Sequence, residues 1–64
     1  MDEELTKIRA FFTERRLRCL SVTALEREAG LPYYTLMHFI KGRRTLNERH
    51  IELLIPVLND FGYN

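Results

Sequence analysis

The tripeptide Gly30-Leu31-Pro32 does most to limit what this chain can become. Gly accepts the left-handed backbone that ends a helix, and Pro fixes a φ that suits the first turn of a new one. Two short helices are therefore expected to meet at a turn here. Upstream, Ser21 can accept a hydrogen bond from an orphan N–H and open a helix over Val22 to Ala29. Thr23 with Glu26 three residues later offers a capping box shifted by two residues, so the first helical residue stays open. Leu25 and Ala29, four apart, give this helix an inward stripe. Downstream, a helix is expected from about Pro32 or Tyr33 to Lys41, ended by Gly42. At about 100° per residue, Leu36, Phe39 and Ile40 fall on one side and Tyr34, His38 and Lys41 on the other. Met37 lies on the margin, and Tyr33 lies nearer the apolar side, where packing and outward contact are both open to it.

The flanking segments are helical as well. Leu5, Ile8 and Phe12, with Ala10, Phe11 and Leu17 beside them, predict one amphipathic helix from Asp2 to about Leu17. Asp2 and its acidic neighbours suit the positive end of that helix, while Arg15, Arg16 and Arg18 complement its negative end. After a basic loop from Gly42 to Leu46, Asn47 can cap a last helix carrying Ile51, Leu54, Ile55, Leu58 and Phe61. Pro56 lacks an N–H and crowds the carbonyl of Glu52, so a kink or break is expected there. Gly62 as a left-handed residue, with Tyr63 reaching back to Leu58, would make a Schellman ending. No segment alternates like a strand. The fold class is all-α, a single domain over residues 1–64 with four helices, or five if Pro56 splits the last.

Sixty-four residues bury only about 60% of the surface that the unfolded chain exposes, so the core has to be small and oligomerisation would help. The last helix has more apolar width than one small core can cover, at Leu53, Leu54, Ile55, Val57 and Leu58. A homodimer seam on that helix, with Phe61 and Tyr63, is the expected use. No apolar run approaches the ~20 residues of a membrane span, and the acidic start Met1-Asp2-Glu3-Glu4 is unlike a secretory signal, which points to the cytoplasm. A lone Cys19, expected to be a small core residue, and two scattered histidines supply neither a disulfide nor a zinc ligand set. Glu26 and Glu28, two apart on a helix, do not face each other as an acid/base pair, and nothing orients a Cys19–His38 couple. An enzyme, a metal and a cofactor are not expected. The net charge of +1 hides two basic clusters, one over Lys7 to Arg18 and one over Lys41 to Arg49.

The string SVTALEREAGLPYYTLMHFIKGRR resembles the helix-turn-helix of phage lambda repressor and Cro (XRE-type) regulators. It matches their pattern at Ser21, Leu25, Ala29, Gly30, Leu31, Thr35, Leu36, Phe39 and Gly42, and the ending LLIPVLNDFGY is similar to the family's closing helix. Where the family usually has a second Ala four residues before the Gly, this chain has Glu26. That implies a different helix crossing or a carboxylate turned to the rim. The resemblance implies a compact lambda-repressor-like domain with a central helix-turn-helix over about residues 21–42. It further implies a sequence-specific transcriptional regulator, a repressor from a phage or mobile element, that binds a palindromic double-stranded operator as a homodimer. Tyr33, Tyr34, Met37 and His38 would face bases, His38 being able to bond a base or a phosphate, Thr35 would belong to the same DNA-binding set, and Ser21, Thr23, Lys41, Arg43 and Arg44 would hold phosphates. The alternative is a domain of the same fold that docks a protein through Tyr34, Met37 and His38, since that face lacks the Arg, Asn and Gln of the commonest base pairings.

Overall fold

Successive phenylalanines set the first feature of the architecture. In the computed structural model, which describes residues 2–63, Phe11 and Phe12 are both buried, their rings meeting edge-on with centroids 5.3 Å apart. Neighbours on a continuous helix point about 100° apart, an offset that a break in the helix beside the two rings relaxes. The chain breaks at Phe12 and Thr13. The single helix expected from Asp2 to about Leu17 is therefore two, α1 (Asp2–Phe11) and α2 (Glu14–Cys19). Thr13 restarts the helix, its hydroxyl accepting the Arg16 N–H at 3.2 Å. The Arg16 guanidinium reaches back to close α1, donating to the Phe11 carbonyl at 2.9 Å and lying 4.3 Å over the Phe11 ring. The Asp2 side chain, expected at the positive end of this helix, lies outside the described residues.

Three further helices follow, α3 (Val22–Ala29), α4 (Thr35–Ile40) and α5 (Glu48–Asn59), with no strand among the described residues. α3 packs against both α4 and α5. The centre of the fold is fully buried Ile8, Leu36, Phe39, Leu46, Leu54 and Leu58. Leu46, at the end of the basic loop, is thus a core residue that pins the loop down. The whole body measures about 25 × 23 × 23 Å.

α5 opens as expected, with Asn47 Oδ1 accepting the His50 N–H at 2.8 Å. It then passes through Pro56 as one helix, so of the kink or break expected there the break does not occur. Pro56 and Glu52 are both exposed, so the carbonyl left without its helical donor can turn to water. Five helices result from the break at Phe12, not from the proline. At the far end, the Tyr63 N–H donates to the Leu58 carbonyl at 3.1 Å and the Gly62 N–H to Asn59 at 3.2 Å, the Schellman pattern. Tyr63 turns inward. Its ring packs edge-on against Phe11 with centroids 5.7 Å apart, and its hydroxyl donates to the Glu4 carboxylate. Burial first, and then the Glu4 carboxylate, push its pKa up to about 12.

Two expectations about the surface change. Cys19 is exposed rather than in the core, because α2 buries none of its residues. Tyr63 belongs to the chain's own interior and so is not free for a seam with a second copy. Leu53, Ile55 and Val57 are half-buried against the core, and Phe61 is 50% exposed. Among the described residues no helix is long and apolar enough to cross a membrane, and no three His, Cys, Asp or Glu side chains cluster to hold a metal ion.

Candidate nucleic-acid interface

α3 is built by local rules. Ser21 Oγ accepts the Ala24 N–H at 3.2 Å and opens the helix. Gly30, at φ 76° in the left-handed region, ends it, with the Leu31 N–H donating to the Glu26 carbonyl at 2.9 Å and the Gly30 N–H to Arg27 at 3.2 Å. Val22, Leu25, Glu26 and Ala29 face inward. That spacing puts a carboxylate on an otherwise apolar stripe.

The next helix begins later than expected. Pro32 to Thr35 form a turn, closed by the Thr35 N–H to the Pro32 carbonyl at 3.2 Å, and Tyr34 sits at φ 65°, ψ 4°. Those are the angles of the third residue of a type II turn, where glycine is the usual occupant. Tyr33 and Tyr34 thus belong to a turn, and the helical phase that drew Tyr33 towards the apolar side does not apply to it. Tyr33 is 74% exposed and Tyr34 57%.

α4 has only six residues, too few to hold together alone in water. Tertiary contacts fix both of its ends. At the start, the Glu26 carboxylate, 3% exposed, accepts the Leu36 N–H at 2.6 Å and the Met37 N–H at 3.2 Å through one oxygen. The Thr35 N–H is taken by the Pro32 carbonyl, so the three N–H groups of the first turn are satisfied, and the His38 N–H to the Tyr34 carbonyl begins the regular ladder. At the other end, the Arg9 guanidinium donates to the Phe39 carbonyl at 3.0 Å and lies 4.3 Å over the Phe39 ring. An anion at the positive end and a cation at the negative end both match the helix dipole. Leu36 and Phe39 anchor the inner face between them. Glu26 is therefore neither at the rim nor a mere spacer in the crossing. It caps the neighbouring helix.

The outward surface is a row of rings. Tyr33 and Tyr34 lie with centroids 5.3 Å apart and planes tilted by 44°, and Tyr34 stacks on His38 at 6.2 Å and 16°. Thr35 is half-buried at the start of α4, and Met37 is half-buried with its side chain against the core, so both reach outward less than the tyrosines. Lys41, Arg43 and Arg44 follow, all exposed, and among the described residues none is paired with a carboxylate. Gly42, at φ 77°, turns the chain so that the Arg43 and Arg44 N–H groups both reach the His38 carbonyl, at 2.8 and 3.3 Å. This brings the two arginines back beside the end of α4. From Ala29 to Asn47 the chain contains no Asp or Glu. Ser21 and Thr23 are exposed at the head of α3, and Thr23 and Tyr33 line one cleft with Glu26, Arg27 and Leu31, which joins the head of α3 to the ring row.

The sequence reading placed most of these residues on one surface but missed Glu26 and Arg9, the two that hold it in place. The signal for Glu26 was present: it lies four residues after Val22 and three before Ala29, inside the stripe. Arg9 had none, because its target is a carbonyl thirty positions away. No protein-family model, curated protein or solved structure matches this chain.

Proposed function

We propose that this chain is a sequence-specific, double-stranded DNA-binding regulator of the lambda repressor/Cro kind. In this reading α3, the turn and α4 act as a helix-turn-helix, and the protein works in the cytoplasm as a repressor for a phage or other mobile element. The observation that carries it is one continuous surface: exposed rings at Tyr33 and Tyr34 and a half-buried one at His38, running into unpaired Lys41, Arg43 and Arg44, within a stretch free of acidic residues. The rings can enter a major groove while the cations meet phosphates on its edge. Ser21 and Thr23, at the head of α3, would meet the backbone on the other side. No catalytic step and no cofactor enter the reading.

A second copy would join through α5 and the turn after it, where Ile55, Val57 and Phe61 leave apolar surface in reach of solvent. Two reading units would then sit about 34–36 Å apart on a palindrome. Selection of bound duplexes from a random pool, followed by a mobility shift, tests this. One palindromic site is expected, bound with steep salt dependence; retention of no duplex at low salt would contradict it.

A docking module is the second reading, favoured by two tyrosines that are 74% and 57% exposed on a face without Arg, Asn or Gln. Charge reversal at Arg43 and Arg44 separates the two. DNA binding should collapse, whereas a partner held by the rings should stay.

A further inference from the structure

The ring face is also specific in its chemistry, and this point rests on the DNA-binding reading above. We propose that Tyr33 and Tyr34 read adjacent thymines, through the thymine methyl groups, rather than the polar edges of guanine or adenine. Guanine presents two acceptors in the major groove and adenine a donor beside an acceptor, so each is read best by a side chain with two polar atoms in a fork. From Tyr33 to Ile40 the chain has no Arg, Lys, Asn or Gln, so no such fork exists on this face. Thymine presents a methyl group next to the O4 acceptor, an apolar patch with one polar atom beside it. A tyrosine has the same character, an apolar ring with one hydroxyl at its tip.

Geometry supports the match. Tyr33 and Tyr34 sit side by side on a turn that projects from the fold, and their ring centroids are 5.3 Å apart. Base pairs follow one another at about 3.4 Å along each strand, so the rings span between one and two steps. Two neighbouring thymines are the simplest target of that size. The Tyr34 ring lies nearly parallel to that of His38, with centroids 6.2 Å apart, so the row continues from the turn onto α4.

The experiment uses the full chain and needs no variant at first. A duplex is selected from a random pool, and each thymine of the recovered site is then replaced in turn by deoxyuridine, which lacks only the methyl. Affinity should fall about fourfold at each of two adjacent thymines per half-site, the effect of removing one buried methyl. Tyr33→Ala, at a position 74% exposed and so harmless to folding, should erase the loss at one of the two. If deoxyuridine is neutral at every position of a duplex that still binds, the thymine proposal fails and the DNA reading survives. If no duplex is retained from the pool, both fail.

Discussion

Removing the Glu26 carboxylate should unseat α4. Two replacements separate its roles. Glu26→Gln keeps an acceptor of nearly the same shape and discards the charge, while Glu26→Ala discards both. In the folded chain one carboxylate oxygen accepts the Leu36 N–H at 2.6 Å, fully inside, and the Met37 N–H at 3.2 Å, partly inside. Loss of a helix cap costs about 0.5–2 kcal/mol, and a buried donor left bare costs about 1–3 kcal/mol. Two gains oppose this: Ala has a slightly better helix propensity, and a buried charge no longer has to be desolvated. Water can reach Met37 N–H but not Leu36 N–H, so one full orphan remains and the loss wins. The expected net cost is about 2–3 kcal/mol for Ala and about 1 kcal/mol for Gln, for which only the charge–dipole attraction is lost. Against a total of roughly 3–10 kcal/mol for a chain of this length the Ala change is severe. Urea unfolding followed by circular dichroism should rank wild type above Glu26→Gln above Glu26→Ala, with unchanged m values. An Ala variant as stable as wild type would refute the cap.

Other consequences are smaller. Tyr34→Gly relieves a bulky residue held at φ 65° and should leave stability unchanged or raise it by up to about 1 kcal/mol in the same urea assay, even though it deletes a ring. Arg9→Met keeps apolar cover over Phe39 but loses the donor to its carbonyl; because Arg9 is exposed, thermal melts should show a loss of only about 0.5–1 kcal/mol. For Tyr63, the folded pKa of about 12 lies above the ordinary 10.0, so the folded state holds the proton more tightly than the unfolded one. Its contribution is complete below pH 10 and is lost as pH rises from 10 to about 12. Tyr63→Phe should lack that limb when urea midpoints are compared at pH 9 and near pH 12.

Local signals carried much of the fold in readable form. Ser21 and Asn47 cap the helices they were expected to cap, Gly30 ends α3 and Gly62 leads into Tyr63, because each device involves residues within a few positions of one another. Three features escaped, two of them because groups distant in sequence take part and the third, at Pro56, because solvent does. The break at Phe12 accompanies the burial of both phenylalanines and is closed by Arg16 on the Phe11 carbonyl, although the apolar stripe runs on to Leu17. α4 begins at Thr35, not Pro32 or Tyr33, because Glu26 supplies the cap and Tyr34 adopts an angle that helical phase does not anticipate. Pro56 stays within α5 because its environment is solvent on the side where the helix loses a bond. In the candidate site, exposed Lys41 and the two arginines after Gly42 were legible from the sequence, whereas Tyr33, drawn towards the apolar side by helical phase, is 74% exposed on a turn. Glu26, on an inward stripe, was legible only as an anomaly.

The central claim is that Lys41, Arg43 and Arg44 grip phosphates while the rings face bases. Its most direct test is the salt dependence of duplex binding for wild type and for Arg43→Ala with Arg44→Ala. Each phosphate contact contributes about −0.9 to the slope of log affinity against log salt. Losing two contacts per protomer should make the slope shallower by about 2 per protomer, or about 4 for a dimer, in a variant with an unchanged unfolding midpoint. An identical slope in the two proteins, or no duplex retained by wild type at low salt, would contradict the account.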